Sequence, residues 1–331
     1  MSLTPEQINL VYEIVLGRSV DDTGLAAFLR MSTGNDLTLH SVAQAIFPSL
    51  EFQTRFGNPD IFNRLRDISY RDVTLTLPED DFTYQELRNG GVYEPYVSNH
   101  LFNQLKPGDV FCDVGANLGL YSLPASKFVG PRGKVLAFEA SSRNANLLMR
   151  SGRANLLNNI NVFPLALSDS NGSVLSPVFL HTSNKILLSE DNQTWRDVEV
   201  IPVVKLDNFL EDQKIDVMKI DVDGFEYRVL RGAINTIRNC LPKIYMEYCP
   251  QLLPAGSGVS GAALLELVMN LGYRPTILHR NRAAEFVNGP AERVVNEVET
   301  ALEEHVRSGG THLDLFWNIT SPRPSHDTVT D

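Results

Sequence analysis

Strongly apolar runs alternate with amphipathic runs over the second two thirds of the chain. The apolar runs DVFCDVG, KVLAFEA, NVFPLAL, DVMKIDV and KIYMEYC indicate strands, and helix-like segments such as GLYSLPASKFV and FEYRVLRGAINTIR come between them. Near-continuous apolar strands joined by amphipathic helices predict an α/β fold with a mostly parallel, doubly wound sheet covered on both faces. The run HLDLFWNI, which follows a helical pattern through Val294, Val298 and Leu302, predicts a final edge strand.

The same patterns divide the chain into four parts. Helically spaced apolar residues after a capping box at residues 4–7 predict a small helical module over residues 1–65. Residues 66–107 alternate like a strand, turn at PEDD and continue into a helix, so we expect a connecting hairpin and helix over the site of the next domain. Residues 108–320 make up the α/β domain, and the polar, proline-rich residues 321–331 predict a disordered tail.

Composition narrows the class of protein. The 331 residues carry a formal net charge of −11, whereas a nucleic-acid-binding face requires a basic excess. The three cysteines form no C-x-x-C pair, which indicates reduced intracellular thiols rather than a disulfide framework or a zinc site. No run approaches the roughly 18 consecutive apolar residues of a membrane span. We therefore expect a cytoplasmic protein without nucleic-acid partners or a membrane span.

The turn after the first apolar strand carries the first candidate chemistry. In FCDVGANLGLYS, Gly115 and Gly119 lie four apart around Asn117. A glycine-rich turn after a strand brings backbone close to a ligand. The dinucleotide fingerprint G-x-G-x-x-G does not fit, because Asn117 occupies the place of its middle glycine. A tight turn without a ligand is the alternative explanation for these glycines.

Acidic residues follow the later strands. Glu139 lies 24 positions after Gly115, where an acidic residue accepts hydrogen bonds from ribose hydroxyls. The third predicted strand ends in ALSD, the fourth ends in KIDVDGFE and the fifth ends at Glu247. This is the composition of an adenosine site without phosphate-binding residues, and acidic surroundings suit a positively charged ligand. S-adenosylmethionine, which has an adenine, a ribose diol and an amino-acid end but no phosphate, meets each requirement.

The sequence also resembles the FkbM-type family of S-adenosylmethionine-dependent methyltransferases. The resemblance rests on YEP at residues 93–95, PGDVFCDVGANLGLYS, VLAFEAS, ALSD, IPVVKLDNFL and MKIDVDGFEYRVLRGA, and it covers about residues 91–247. It departs from the family where AS follows Glu139, since the family more often has proline there. The resemblance implies a Rossmann-like class I methyltransferase sheet with its last strand antiparallel. It also implies O-methylation of hydroxyls on sugars, polyketides or related natural products.

Together these observations predict the site residues. Those expected to contact the cofactor are Tyr93, Glu94, Asp113, Gly115, Ala116, Asn117, Gly119, Tyr121, Glu139, Ala140, Ala166, Leu167 and Ser168. The candidates for accepting the proton of an alcohol are Asp221, Asp223, Glu226 and Glu247, which sequence alone does not rank. The alternative for Asp223 and Glu226 is a turn that caps the next helix. Two carboxylates, Asp221 and Glu247, without a further ligand do not predict a metal site.

The acceptor is predicted only by class. A weaker resemblance of the N-terminal segments YEIVLGRSVDDTGLAAFL and FPSLEFQTRF to a small helical domain that accompanies bacterial glycan-modifying proteins favours a glycan acceptor. The predicted acceptor is a free sugar or natural product, or one linked to a lipid or a carrier. The protein itself is expected to act alone or as a homodimer. A polar run over residues 168–200, with Asn184, Lys185 and Trp195, is expected to shape the acceptor pocket. Of the seven histidines, His181 and His279 are expected nearest to it.

Three other functions fit part of the same pattern. An NAD-dependent dehydrogenase requires the glycine that Asn117 replaces. An N-methyltransferase would share every cofactor residue and differ only in the acceptor pocket. A non-catalytic adaptor in glycan assembly would keep the fold without turning over the donor.

Overall fold

The computed structural model describes residues 64–177, 198–210 and 213–320, with positions 5, 8, 9, 12, 20, 21 and 24–27 near the start. Most of the predicted helical module over residues 1–65 and the tail over residues 321–331 lie outside the described residues. The same holds for His181, Asn184, Lys185 and Trp195, so the predictions for these segments stay predictions. Within the described ranges, no helix combines the length and the apolar character that crossing a bilayer requires.

Thirteen strands and ten helices of the described residues are labelled here in chain order. They are β1 (Leu65–Tyr70), β2 (Val73–Pro78), α1 (Phe82–Arg88), α2 (Pro95–Gln104), β3 (Val110–Val114), α3 (Ser122–Val129), β4 (Lys134–Phe138), α4 (Ser142–Ala154), β5 (Ile160–Phe163), β6 (Ala166–Leu167), β7 (Gly172–Pro177), β8 (Val198–Val204), α5 (Leu206–Phe209), β9 (Val217–Ile220), α6 (Glu226–Arg231), α7 (Ile234–Cys240), β10 (Lys243–Tyr248), α8 (Leu253–Gly256), α9 (Gly261–Asn270), β11 (Tyr273–Leu278), β12 (Glu285–Phe286), α10 (Ala291–Arg307) and β13 (Leu313–Ile319).

An eight-stranded sheet forms the centre of the fold, in the order β12-β11-β13-β10-β9-β3-β4-β5. Strands β5, β4, β3, β9 and β10 are mutually parallel, while β13 runs antiparallel to both of its neighbours. The order reverses between β3 and β9, which is the point where such sheets open a crevice for ligands. The predicted doubly wound, Rossmann-like sheet with an antiparallel last strand is confirmed.

The last strand is not an edge strand, so that part of the prediction is wrong. Strand β13 lies between β10 and β11, and its Trp317 is fully buried. The strand that covers it contains Pro275, which breaks the usual strand pattern and hid this element in the sequence. Because Pro275 still offers its carbonyl oxygen, Val287 N–H donates to it at 2.9 Å and continues the pairing towards β12.

Two predicted elements are each divided in the structure. The run NVFPLAL was expected to form one strand ending in ALSD, but β5 ends at Phe163 and β6 joins a separate three-stranded sheet with β7 and β8. Pro164, which has no N–H, separates them. The helix expected over FEYRVLRGAINTIR likewise breaks into α6 and α7 at Gly232, where a Cβ would lie 1.9 Å from the carbonyl oxygen of Ser168.

The core occupies both faces of the central sheet, because successive strand residues point to opposite sides. On β3, Phe111 packs in one cluster with α3 and the β1-β2 hairpin, while Cys112 packs in the other. The second cluster contains an aromatic group, with the ring centroids of Phe138 and Phe163 5.0 Å apart. Because the central sheet is buried on both faces, the positions of its strand ends, which carry the polar residues, are rigidly held.

Candidate functional site

A cavity of about 580 Å³ opens at the carboxyl ends of the parallel strands. Among the residues predicted for the site, those that line it are Tyr93, Glu94, Gly115, Ala116, Asn117, Tyr121, Glu139, Ala140, Ala166, Leu167, Ser168, Asp221, Asp223 and Glu247. The structure therefore brings most of the predicted set to one place. Its apolar walls include Val114, Phe138, Leu165 and Val203.

The turn after β3 forms one side of the cavity. Gly115 has a φ of +84°, and a Cβ there would lie 1.9 Å from the carbonyl oxygen of Asp221. Asn117 also has a left-handed backbone, with a φ of 48°. Its side-chain oxygen accepts a hydrogen bond from Asn144 Nδ2 at 3.0 Å. Gly115 is thus required by the close approach of two strand ends, which holds whether or not a ligand is bound.

Glu139, directly after β4, is 8% exposed and holds the turn in place. Its Oε2 accepts the backbone N–H of Asn117 at 2.7 Å, and its Oε1 accepts the N–H of Ser141 at 2.8 Å. These two backbone donors fix the orientation of the Glu139 carboxyl group, which lines the cavity. The geometry places a carboxyl group where it can meet a diol inside the cavity.

Three predicted site residues do not line the cavity. Asp113 is buried below it and accepts the Ser122 hydroxyl at 2.6 Å. Gly119, with a φ of +86°, leaves the space into which Leu148 packs. Glu226, at the start of α6, accepts the N–H of Gly224 at 3.1 Å and is 1% exposed. These residues shape the floor and the turns of the site.

A buried lysine that the sequence analysis did not single out stands among the predicted carboxylates. Lys219 Nζ lies 2.6 Å from Asp221 Oδ2 and 4.6 Å from the centre of the Tyr121 ring. Burial opposes ionisation of Asp221, but the Lys219 charge and hydrogen bond lower the pKa of its carboxyl below the ordinary value. Asp221 is therefore held as a carboxylate in an ion pair, which makes it a weak proton acceptor.

Glu94 faces the same ion pair from the segment before α2. Its backbone is left-handed, with a φ of 40°, and its Oε2 accepts the Tyr121 hydroxyl at 2.5 Å. Burial and the nearby Asp314 charge raise the pKa of Glu94 to about 7. Left-handed backbone at a residue other than glycine stores strain and is frequent at functional sites.

Glu247 belongs to a hydrogen-bonded group with a histidine. His312 Nδ1 lies 2.8 Å from Glu247 Oε1, and both side chains line the cavity. The Nε2 of His312 is 3.8 Å from Asp314 Oδ2, which accepts the Tyr96 hydroxyl at 2.5 Å. Burial and the Asp221 charge raise the pKa of Glu247. Although burial opposes protonation of His312, Glu247 raises the pKa of that imidazole to about 9.

Sequence patterns contained usable signals for both residues that the prediction missed. Lys219 precedes Asp221 by two, and residues two apart on a strand share a face. His312 comes directly before β13, whose antiparallel direction brings its beginning to the carboxyl end of β10.

His279, which was expected near the acceptor, instead lies 3.5 Å from Glu285 and does not line the cavity. In the parts of the chain that the structure describes, no three His, Cys, Asp or Glu side chains converge as a metal site would need.

Comparison with known proteins supports a family assignment. The family model described as the methyltransferase FkbM domain matches residues 113–275. The hexuronic acid methyltransferase AglP of Haloferax volcanii is 26% identical over 222 residues, which are 65% of this chain and 83% of that protein. The methyltransferase sdnD of Sordaria araneosa is 25% identical over 178 residues, which are 43% of this chain and 68% of that protein.

Among solved structures, the methyltransferase FkbM from Methylobacillus flagellatus KT aligns with a TM-score of 0.40 and 15% identity. The alignment covers 64% of this chain and 44% of that one, so this chain spans less than half the length of the solved protein.

Proposed function

We propose, from the match of residues 113–275 to the methyltransferase FkbM domain, that the protein transfers the methyl group of S-adenosylmethionine to a hydroxyl oxygen of a sugar or a related natural product. The observation that carries the proposal is the cavity at the strand ends, with the Glu139 carboxylate beside the turn at residues 115–119. The similar protein named as a hexuronic acid methyltransferase supports a sugar acceptor.

The charge of the cavity lining fits this donor. Five acidic side chains line it, namely Glu94, Glu139, Asp221, Asp223 and Glu247, against Lys219, Arg228 and the imidazole of His312. Acidic side chains thus outnumber basic ones, which suits a ligand that carries a sulfonium and an ammonium better than the pyrophosphate of a dinucleotide. The cavity volume of about 580 Å³ falls in the usual range for sites that enclose a small molecule.

Each end of the cavity has its own part in the proposal. Glu139 would accept hydrogen bonds from the ribose diol, and the apolar walls near Ala140 and Leu167 would hold the adenine. Bound S-adenosylmethionine supplies an electrophilic methyl group, so the protein has to align the acceptor oxygen with it and exclude water. The polar group around Asp221 and Glu247 would receive the proton of the acceptor hydroxyl.

Calorimetric titration with S-adenosylmethionine, S-adenosylhomocysteine and NAD tests the donor. We expect S-adenosylmethionine and S-adenosylhomocysteine to bind and NAD to show no measurable binding. A ligand at one hundred times its dissociation constant stabilises the fold by about 2.7 kcal/mol, which a melting curve also detects. The variant Glu139→Gln should bind the donor about 10- to 100-fold more weakly, because hydrogen bonds to a charged group contribute about 1.5–3 kcal/mol.

Glu266→Gln is the matched control, since Glu266 is an exposed residue of α9 that does not line the cavity. Binding of NAD instead of the sulfur compounds would refute the proposal, and so would equal donor affinity in both variants. The acceptor class is then tested by formation of S-adenosylhomocysteine with methyl glycosides of glucuronic acid and of glucose. Turnover of amines but not of either glycoside would replace the O-methyltransferase with an N-methyltransferase.

A further inference from the structure

His312 and Glu247 form a histidine–carboxylate pair inside the cavity. Their side chains are 19% and 17% exposed, and His312 Nδ1 lies 2.8 Å from Glu247 Oε1. The Thr311 hydroxyl oxygen is also 3.1 Å from the same nitrogen. The pair follows from the sheet: β10 and β13 run antiparallel with Tyr248 opposite Leu313, which places His312 diagonally from Glu247.

The position of Glu247 determines how the imidazole is turned. Since the carboxylate faces Nδ1, that nitrogen carries the hydrogen in the neutral ring, and Nε2 holds the lone pair. Asp314 Oδ2 is 3.8 Å from Nε2, which is beyond hydrogen-bond distance, and it accepts the Tyr96 hydroxyl instead. The proton-accepting atom therefore belongs to a ring that lines the cavity.

We propose that His312 is the general base of the methyl transfer and accepts the hydroxyl proton of the acceptor at Nε2, while Glu247 holds the ring in position. This inference rests on the proposed function. A bond forms between the acceptor oxygen and the methyl carbon, and the carbon–sulfur bond breaks with its electron pair going to sulfur. The sulfonium thereby becomes a neutral thioether, and the proton passes from the oxygen to Nε2 and then to solvent.

Two of the other predicted proton acceptors, Asp221 and Glu226, are less suited to this step. Asp221 is held in an ion pair with Lys219 at 2.6 Å. Glu226 does not line the cavity, and its Oε1 accepts backbone N–H groups. An imidazole backed by a carboxylate, in contrast, is the arrangement that many enzymes use to remove a proton from a hydroxyl group.

The surroundings of His312 set the pH at which it works. The charged and titratable groups that face it are Glu247 of β10, Asp314 of β13, Glu94 before α2, Asp221 after β9 and His305 of α10. Burial disfavours the imidazolium, but the carboxylates outweigh it and raise the pKa of His312 to about 9. Only the neutral ring accepts a proton, so the rate should rise with pH. The positive charge of a bound donor would lower the pKa of His312, so the rate would begin to rise at a lower pH.

Nitrogen NMR of the histidine side chains in the full chain, with S-adenosylhomocysteine bound, tests the ring geometry without any acceptor. We expect the neutral His312 ring to carry its hydrogen on Nδ1 and to titrate well above 6.5, and Glu247→Gln should lower that pKa. His279, which pairs with Glu285 outside the cavity, should titrate below 6.5, because burial lowers its pKa. A hydrogen on Nε2 of neutral His312 would overturn the proposal.

The catalytic arm compares His312→Gln with His279→Gln under donor saturation, using the glycoside that the wild type methylates. We expect His312→Gln to lower kcat by about 10²- to 10⁴-fold and to abolish the rise of kcat with pH, while donor affinity changes less than threefold. His279→Gln should keep both the rate and the pH profile. A His312→Gln variant with wild-type kcat and pH profile would overturn the role of His312 and leave the proposed function standing. A wild-type protein that does not bind the donor would overturn the proposed function itself.

Discussion

Replacing Glu226 by glutamine should change how the stability of the fold depends on pH. The side chain is 1% exposed, and its Oε1 accepts the N–H groups of Val222 at 3.3 Å and Gly224 at 3.1 Å. Its Oε2 is buried and has no hydrogen-bond partner among the described residues. Burial therefore raises the pKa of Glu226 from 4.5 to about 7, because the charged form loses more hydration than these backbone donors return.

The sign and size of the effect follow from proton linkage. Since the folded state binds the proton of Glu226 more tightly than the unfolded state, the stabilising contribution is fully present below pH 4.5 and is lost as pH rises to about 7. Each tenfold change in an equilibrium constant corresponds to about 1.4 kcal/mol. Between pH 5 and pH 8 the wild type should therefore lose about 2 to 3 kcal/mol of unfolding free energy relative to Glu226→Gln.

Urea unfolding of both proteins at pH 5 and pH 8 measures this difference. Glutamine keeps an acceptor for the backbone N–H groups but buries an extra amide, and that effect is the same at both pH values, so it cancels in the comparison. The exposed Glu266 provides the control, because Glu266→Gln should leave the pH dependence of the wild type intact. A Glu226→Gln effect that is equal at both pH values within about 0.5 kcal/mol would refute the electrostatic account.

Two further predictions concern residues that line the cavity, Lys219 and Gly115. Lys219→Met should destabilise the fold at pH 7 by about 3–5 kcal/mol in urea unfolding, because it leaves the Asp221 carboxylate buried without its partner at 2.6 Å. The loss of unfolding free energy should be smaller at pH 5, because in the variant Asp221 has lost the lysine that lowers its pKa and takes up a proton more readily. A loss that does not depend on pH would contradict this cause. Gly115→Ala should lower the unfolding free energy by at least about 2 kcal/mol more than Gly90→Ala. Both glycines have similar φ, +84° and +80°, but only at Gly115 does a Cβ meet another backbone, so equal losses would exclude the clash as the cause.

Most of the fold could be predicted from periodicity because each strand of the parallel sheet is buried on both faces. The apolar runs that became β3, β4, β9 and β10 are short and continuous, and the helices between them carry clear amphipathic patterns. Prediction failed where a local signal conflicted with tertiary pairing. Pro275 hid β11, whose cover of β13 turns the expected edge strand into an internal one.

The site divides in the same way between sequence and tertiary structure. By itself, the sequence determined the glycine turn at residues 115–119, the acid at Glu139 and the carboxylates at the ends of β9 and β10, because residues at strand ends of a parallel sheet meet at one edge. The tertiary structure alone decided that Glu226 turns away from the cavity to hold backbone N–H groups. It also decided that His312, 65 residues after Glu247 in the chain, reaches that carboxylate. The physical reason is that antiparallel pairing of β10 and β13 joins positions that no local pattern connects.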